Sequence, residues 1–81
     1  MEVKLFVRDD CPACPAALAA CEGIANLSVY DVGEFQGIAE ASILGIASVP
    51  SVVVLDSSGR EVAGWRGTAP DAAALRAVLS N

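Results

Sequence analysis

Runs of apolar residues predict four β-strands, at residues 3–7, 27–32, 51–55 and 60–66. The first run alternates, but Phe6 makes both of its faces partly apolar, as in an inner strand. The third run is β-branched and does not alternate, which is typical of a central strand covered on both faces. Residues 56–59 carry a turn signal, so the last two strands should form an antiparallel hairpin.

Helical signals fill the intervals between these strands. An Ala-rich segment from Pro12 to Cys21 has high helix propensity, and Asp9-Asp10 before it can cap a helix. A second helix is predicted over residues 34–44, with Gly45 as its C-cap. A third helix should open at residues 68–71, where Pro and Asp suit a first turn.

The second and third helices carry apolar residues at helical spacing. In the second, the residues three and four positions apart are Phe35, Ile38, Ala39, Ser42 and Ile43. They predict an apolar stripe that packs against the sheet. In the third, Leu75, Val78 and Leu79 share one face.

The resulting order, β-α-β-α-β-β-α, predicts an α/β fold with a mixed sheet and helices on both of its faces. Eighty-one residues are enough for one domain, which we expect to span residues 1–81. The sequence contains no linker, internal repeat or low-complexity segment.

Charge and hydropathy narrow the choice of partners. Ten acidic and five basic side chains give a net charge of -5, and no cluster of Lys or Arg suggests nucleic acid as a partner. No apolar stretch approaches the roughly 18 residues that a membrane span needs. We therefore expect a cytoplasmic protein that does not bind membranes, and a monomer.

The three cysteines point to chemistry rather than to a structural framework. A framework would need four, six or eight cysteines spaced along the chain. The chain has no histidine, which excludes Cys-His and Ser-His-Asp catalysis and mixed Cys/His zinc sites. Cys11 stands where the first strand gives way to a helix, and Cys14 follows three residues later.

That spacing makes a reversible Cys11–Cys14 disulfide feasible. The positive end of the helix favours a thiolate at Cys11, which would act as the nucleophile, and Cys14 would resolve the mixed disulfide. The alternatives are a zinc or iron–sulfur corner, for which the chain offers no fourth sulfur or imidazole ligand, and two inert core thiols. Cys21 is two helical turns beyond Cys14, too far for the two to pair within one helix. We therefore expect Cys21 to be a small buried hydrophobic residue outside the site.

Three stretches resemble the thioredoxin family in order and spacing. They are the Cys-Pro-Ala-Cys motif at residues 11–14 followed by Pro15, the segment 45–51 with Val49-Pro50, and the hairpin residues 58–62 with Gly67. The resemblance covers nearly the whole chain, which is similar to the compact, glutaredoxin-sized members of the family. It implies a minimal thioredoxin fold in which Pro50 is a cis-proline opposite the dithiol.

The resemblance also implies a function. The protein would reduce disulfide-containing protein substrates, need no cofactor or metal of its own, and be recharged by a flavin-dependent thioredoxin reductase. Val49 and Pro50, with Pro12 and Ala13 between the cysteines, would contact the substrate. The backbone of Val49 would pair with an extended peptide.

Two departures from the family pattern affect the dithiol. Leu5 replaces the buried Asp that commonly accepts a proton from the resolving thiol, and Asp10 replaces the aromatic residue before the first Cys. The carboxylates of Asp9 and Asp10 oppose thiolate formation at Cys11.

Two other functions remain open. A glutaredoxin-like, glutathione-dependent reductase would normally carry Gly-Gly and an acidic residue where this chain has Arg66-Gly67-Thr68-Ala69. A non-enzymatic metal or thiol carrier would use the same two sulfurs. Trp65, on the predicted hairpin, is expected to be a packing residue rather than a substrate platform.

Overall fold

The computed structural model describes residues 1–80 and contains the seven predicted elements in the predicted order. The strands are β1 (Glu2–Val7), β2 (Leu27–Asp31), β3 (Ser51–Leu55) and β4 (Glu61–Arg66). The helices are α1 (Cys14–Ala20), α2 (Phe35–Leu44) and α3 (Ala72–Leu79). Within the described residues, none of these helices combines the length and the apolar character that a membrane crossing requires.

The four strands form one mixed sheet in the order β2-β1-β3-β4. β1 pairs in parallel with β2 and antiparallel with β3, and β3 pairs antiparallel with β4, as the hairpin signal predicted. The two inner strands are the two whose sequences predicted burial on both faces, and all five residues of β3 are buried. In the β1–β3 register Phe6 lies opposite Ser51, so the end of β1 and the start of β3 share one end of the sheet.

One face of the sheet carries the main hydrophobic core. Its fully buried members come from β1, β3 and the helices α1 and α3: Val3, Leu5, Ala17, Cys21, Val52, Val54 and Leu75. Trp65 packs against this cluster, as expected for a packing residue, and so do Val78 and Leu79 of α3. Helices α1 and α3 therefore cover the same face.

The opposite face carries α2 and is partly polar. Lys4 of β1 donates a hydrogen bond of 2.6 Å from Nζ to the carboxylate of Glu40 on α2. The hydrogen bond that Lys4 donates to Glu40 raises the pKa of Lys4, outweighing the desolvation that would lower it. The rings of Phe6 and Tyr30 stack with their centroids 5.3 Å apart. The predicted placement of helices on both faces is confirmed.

The predicted packing of the apolar stripe of α2 against the sheet is wrong. Phe35 is 88% exposed and Ile43 is 76% exposed, and Ile38 is also exposed. Helix α2 instead turns Gly37 and Ala41 inward. Helical spacing correctly places the stripe on one face, but that face points to solvent.

Gly37 explains why the other side of α2 is buried. A β-carbon at Gly37 would collide with the backbone carbonyl of Asp31 at the end of β2. The absence of a side chain therefore lets the helix backbone approach the sheet backbone directly. A larger residue on this side would push α2 away from the strand and from Lys4.

Tight turns end α2 and join β3 to β4. Gly45 ends α2 in the left-handed conformation, at φ 69°, as its predicted C-cap role requires.

In the hairpin, Asp56 Oδ1 accepts hydrogen bonds from the Ser58 hydroxyl at 2.6 Å and from the backbone N–H groups of Ser58 and Arg60. These bonds, chiefly the one from the Ser58 hydroxyl, lower the pKa of Asp56.

Replacing Gly37 by Ala tests the close packing of α2. Helix propensity alone would make Ala more stable than Gly by roughly 1 kcal/mol. We expect the opposite sign, a loss of about 1–3 kcal/mol in the free energy of unfolding, because the new methyl group overpacks the contact with Asp31. Urea denaturation would measure it.

Ser42→Ala serves as the control, since Ser42 is exposed on the same helix. It should raise stability by a few tenths of a kcal/mol, about the difference in helix propensity. A Gly37→Ala protein that is more stable than the parent would contradict the packing described.

Candidate active site

The candidate site is built on a disulfide between Cys11 and Cys14. Their sulfurs are bonded, and their Cα atoms lie 5.4 Å apart, within the usual range for a disulfide. Cys11 is partly exposed, whereas Cys14 is only 4% exposed. One sulfur-bearing residue thus lies at the surface and the other faces the interior.

The local structure around this pair differs from the sequence prediction. Helix α1 begins at Cys14 rather than at Pro12, and residues 11–13 form a turn in which the Cys14 N–H donates to the Cys11 carbonyl at 3.2 Å. Pro15 occupies the first turn of the helix, where its missing N–H costs nothing. Cys11 therefore stands before the helix, and Pro12 and Ala13 are exposed between the two cysteines.

The predicted capping of α1 by Asp9-Asp10 is also wrong. The N-cap position is Ala13, which makes no side-chain cap bond. Asp10 is too far back along the turn and instead accepts a hydrogen bond of 3.0 Å from Arg8 Nε. This exposed ion pair offsets part of the negative charge beside Cys11.

No buried carboxylate accompanies Cys14 in the described part of the chain. Leu5, at the position where the family commonly has an Asp, is fully buried in the hydrophobic core. Ser51 is the one buried polar or charged residue among residues 1–80. A proton on Cys14 thus has no buried side-chain acceptor of the kind that the family resemblance leads one to look for.

The loop that joins α2 to β3, residues 45–50, lies at the same end of the sheet as the disulfide. We call it the Pro50 loop. Its Val49–Pro50 peptide bond is cis. Pro50 is fully buried, and Val49 is half-buried. The β1–β3 register brings the loop to this end, since Ser51 lies opposite Phe6, five residues before Cys11.

A groove of about 180 Å³ runs between the Pro50 loop and α2. Its walls are more apolar than polar, and the residues that line it are Arg8, Val32, Ile38, Ala41, Ser42, Ile46, Ala47, Ser48 and Val49. Sequence reasoning identified Val49 but missed Arg8 and Ile38. The signal for Ile38 was its place in the apolar stripe of α2, which was interpreted as core.

Cys21 lies apart from this site, in the hydrophobic core. It is fully buried beside Leu5 and Ala17 and forms no disulfide. Burial raises the pKa of its thiol. Its predicted burial outside the site is confirmed.

Across residues 1–80, no three Cys, Asp or Glu side chains come together in a way that could hold a metal ion.

Solved structures with the same architecture identify the fold. Thioredoxin 1 from Thermosipho africanus TCF52B superposes with a TM-score of 0.76, at 20% identity, covering 99% of this chain and 92% of that one. The chain described here has the thioredoxin fold. Thioredoxin O2 from Arabidopsis thaliana in its oxidized state also matches, with a TM-score of 0.66 and 20% identity over 98% of this chain and 71% of that one. The predicted fold class is therefore confirmed.

A structural genomics target from X. campestris, XcR50, is more similar in sequence. It is 32% identical, with a TM-score of 0.56, and the match covers 96% of this chain and 95% of that one. The thioredoxin-fold protein described here thus belongs to one family with XcR50. No protein-family model matches the chain, and no curated protein matches it.

The burial of the three cysteines predicts an order of alkylation. After reduction, iodoacetamide should modify Cys11 first and Cys14 more slowly, since Cys14 is buried at the start of α1. Cys21 should react only after unfolding, because it is buried and its raised pKa leaves little thiolate. Mass spectrometry of timed samples would give the order. Alkylation of Cys21 as fast as Cys11 in the native protein would contradict this placement.

Proposed function

We propose that this protein is a thiol–disulfide oxidoreductase that reduces protein disulfides through the Cys11–Cys14 pair. The observation that carries the proposal is the disulfide itself, with one cysteine at the surface and its partner buried behind it. The thioredoxin fold supports it, because the pair and the Pro50 loop occupy the same end of the sheet.

The exposure of the two cysteines suggests their roles. In the reduced protein the Cys11 thiolate, which a substrate can reach, attacks one sulfur of the substrate disulfide and displaces the other as a thiolate. The Cys14 thiolate then attacks the Cys11 sulfur and releases the second substrate sulfur. Two electrons pass to the substrate, and the protein is left with its own disulfide.

Proton transfer in the second step differs from the family pattern. Leu5 offers no carboxylate, so the Cys14 proton would pass to the departing substrate thiolate or to water. The charges near Cys11 partly cancel, since Arg8 pairs with Asp10 while Asp9 adds a further negative charge. We expect resolution by Cys14 to be faster at mildly alkaline pH.

The substrate would lie across the exposed turn and the Pro50 loop. Pro12 and Ala13 are exposed beside Cys11, and Val49 lines the adjacent groove. Pro50 is fully buried, so its part would be to set the loop rather than to present its ring. An extended segment of the substrate would pair with the backbone at Val49.

The source of electrons and the compartment extend the proposal. A flavin-dependent thioredoxin reductase would restore the dithiol, as the family resemblance implies. A protein that reduces disulfides works where thiols are kept reduced, which favours the cytoplasm. A monomer would suffice, since both cysteines and the loop come from one chain.

Single replacements of the cysteines test these roles in an insulin-reduction assay with dithiothreitol as electron source. Cys11→Ser should reduce turnover to the uncatalysed background, because the attacking sulfur is gone. Cys14→Ser should accumulate a mixed disulfide between Cys11 and the substrate, visible by mass. Cys21→Ala is the matched control and should retain the parent rate, since Cys21 lies in the core.

Two outcomes would overturn the proposal. One is insulin reduction by Cys11→Ser at the parent rate. The other is a parent protein that reduces no protein disulfide but forms a stable Cys11–glutathione adduct, which would favour the glutathione-dependent alternative.

A further inference from the structure

One hydroxyl group joins the Pro50 loop to the turn that follows β4. Ser51, the first residue of β3, donates from Oγ to the carbonyl of Ser48 at 2.7 Å. The same oxygen accepts a hydrogen bond of 3.2 Å from the backbone N–H of Gly67. The hydroxyl thus serves as donor and acceptor at once, which fixes its orientation.

The position of this hydroxyl is unusual for its strand. The other residues of β3 are Val52, Val53, Val54 and Leu55, and all are buried. Ser51 is fully buried too and is the one buried polar side chain in the stretch from residue 1 to residue 80. A β-branched apolar residue would suit a buried strand better, because burying a hydroxyl costs free energy. The two hydrogen bonds of Ser51 offset that cost.

The same turn approaches the loop at a second point. Gly67 has a φ of 79°, and a β-carbon built on it would lie 2.8 Å from Ser48 Oγ. The positive φ favours glycine here, and a larger residue would in addition have to displace the Ser48 hydroxyl. The turn and the loop are in direct contact around Ser48, the residue before Val49.

The residue just before the loop is held by the end of β4. Arg66, the last residue of β4, donates from Nη2 to the carbonyl of Leu44 at 2.9 Å. Both oxygens of the Glu61 carboxylate hold its guanidinium, each at 2.9 Å. Arg66 and Gly67 thus hold the chain at Leu44, before the groove residues Ile46 and Val49, and at Ser51, after them.

We propose that Ser51 is a positioning residue for substrate binding, a role that rests on the proposed function. By fixing Ser48 against Gly67, its hydroxyl holds Val49 in the place where the substrate segment would pair. Neither of its hydrogen bonds involves a cysteine. Losing the hydroxyl should therefore weaken the binding of a polypeptide disulfide and leave the thiol chemistry of Cys11 unchanged.

Two isosteric replacements separate the hydroxyl from the shape of the side chain. Ser51→Thr keeps the hydroxyl, whereas Ser51→Val has the same shape without it, and both residues suit a strand. We expect Ser51→Val to raise KM for insulin about tenfold, within the scale of the two buried hydrogen bonds that are lost, with kcat within about twofold of the parent. Ser51→Thr should keep KM close to that of the parent.

Two further measurements exclude a general loss of stability. The rate of reduction of a small aromatic disulfide, 5,5′-dithiobis(2-nitrobenzoate), should be unchanged in both variants. This compound has no peptide segment that could pair with the backbone at Val49. Val54→Ala is the control for destabilisation: Val54 is buried in the same strand but faces the hydrophobic core, and it should leave KM unchanged.

The results distinguish the two proposals from each other. The positioning role is overturned if Ser51→Val and Ser51→Thr have equal KM values, or if Val54→Ala raises KM as much as Ser51→Val. It is also overturned if Ser51→Val slows the small disulfide as much as insulin. A parent protein that leaves insulin oxidised but reacts with the small disulfide would refute protein-disulfide reduction itself, and the positioning role with it.

Discussion

The antiparallel pairing of β1 with β3 is the constraint on which the candidate site depends. It sets Phe6 opposite Ser51, so the chain leaves β1 toward Cys11 at the point where it enters β3 from the Pro50 loop. The disulfide and the loop come from separate parts of the sequence, with α1, β2 and α2 between them, and this register brings them to one end of the sheet. Both strands are inner strands, and the core residues Leu5 and Val52 stabilise their pairing.

The two faces of the sheet are stabilised in different ways. On one, α1 and α3 close an apolar core that includes Cys21 and Leu75. On the other, α2 approaches closely through Gly37 and is joined to β1 by the ion pair of Lys4 with Glu40. Because α2 packs through its small residues, its larger apolar side chains are left outside, and Ile38 becomes part of the groove wall beside the Pro50 loop.

Much of this arrangement could be predicted from the sequence where one residue type permits few alternatives. The run of β-branched residues in β3 identified a central strand, and Gly45 marked the end of α2. Cys11 and Cys14 were close enough in sequence for their pairing to follow from local geometry.

The errors came from properties that depend on tertiary contacts. Helical spacing shows which residues of α2 share a face but not which face meets the sheet, and Gly37 decided that. The start of α1 was placed too early because residues 11–13 form a turn before the helix, and Asp10, which precedes that turn, pairs with Arg8. The hydrogen bonds of Ser51 could not be predicted from the sequence, because the fold alone brings Ser48 and Gly67 to its hydroxyl.

A redox titration tests the central claim, that Cys11 and Cys14 form a reversible pair with a reducing role. The protein would be equilibrated in graded dithiothreitol buffers, its free thiols trapped and their number counted by mass. We expect one transition between a dithiol and the Cys11–Cys14 disulfide, with Cys21 free throughout and a midpoint of about -270 mV. Absence of a disulfide at any potential, or a midpoint near the roughly -120 mV of strong oxidants, would contradict it.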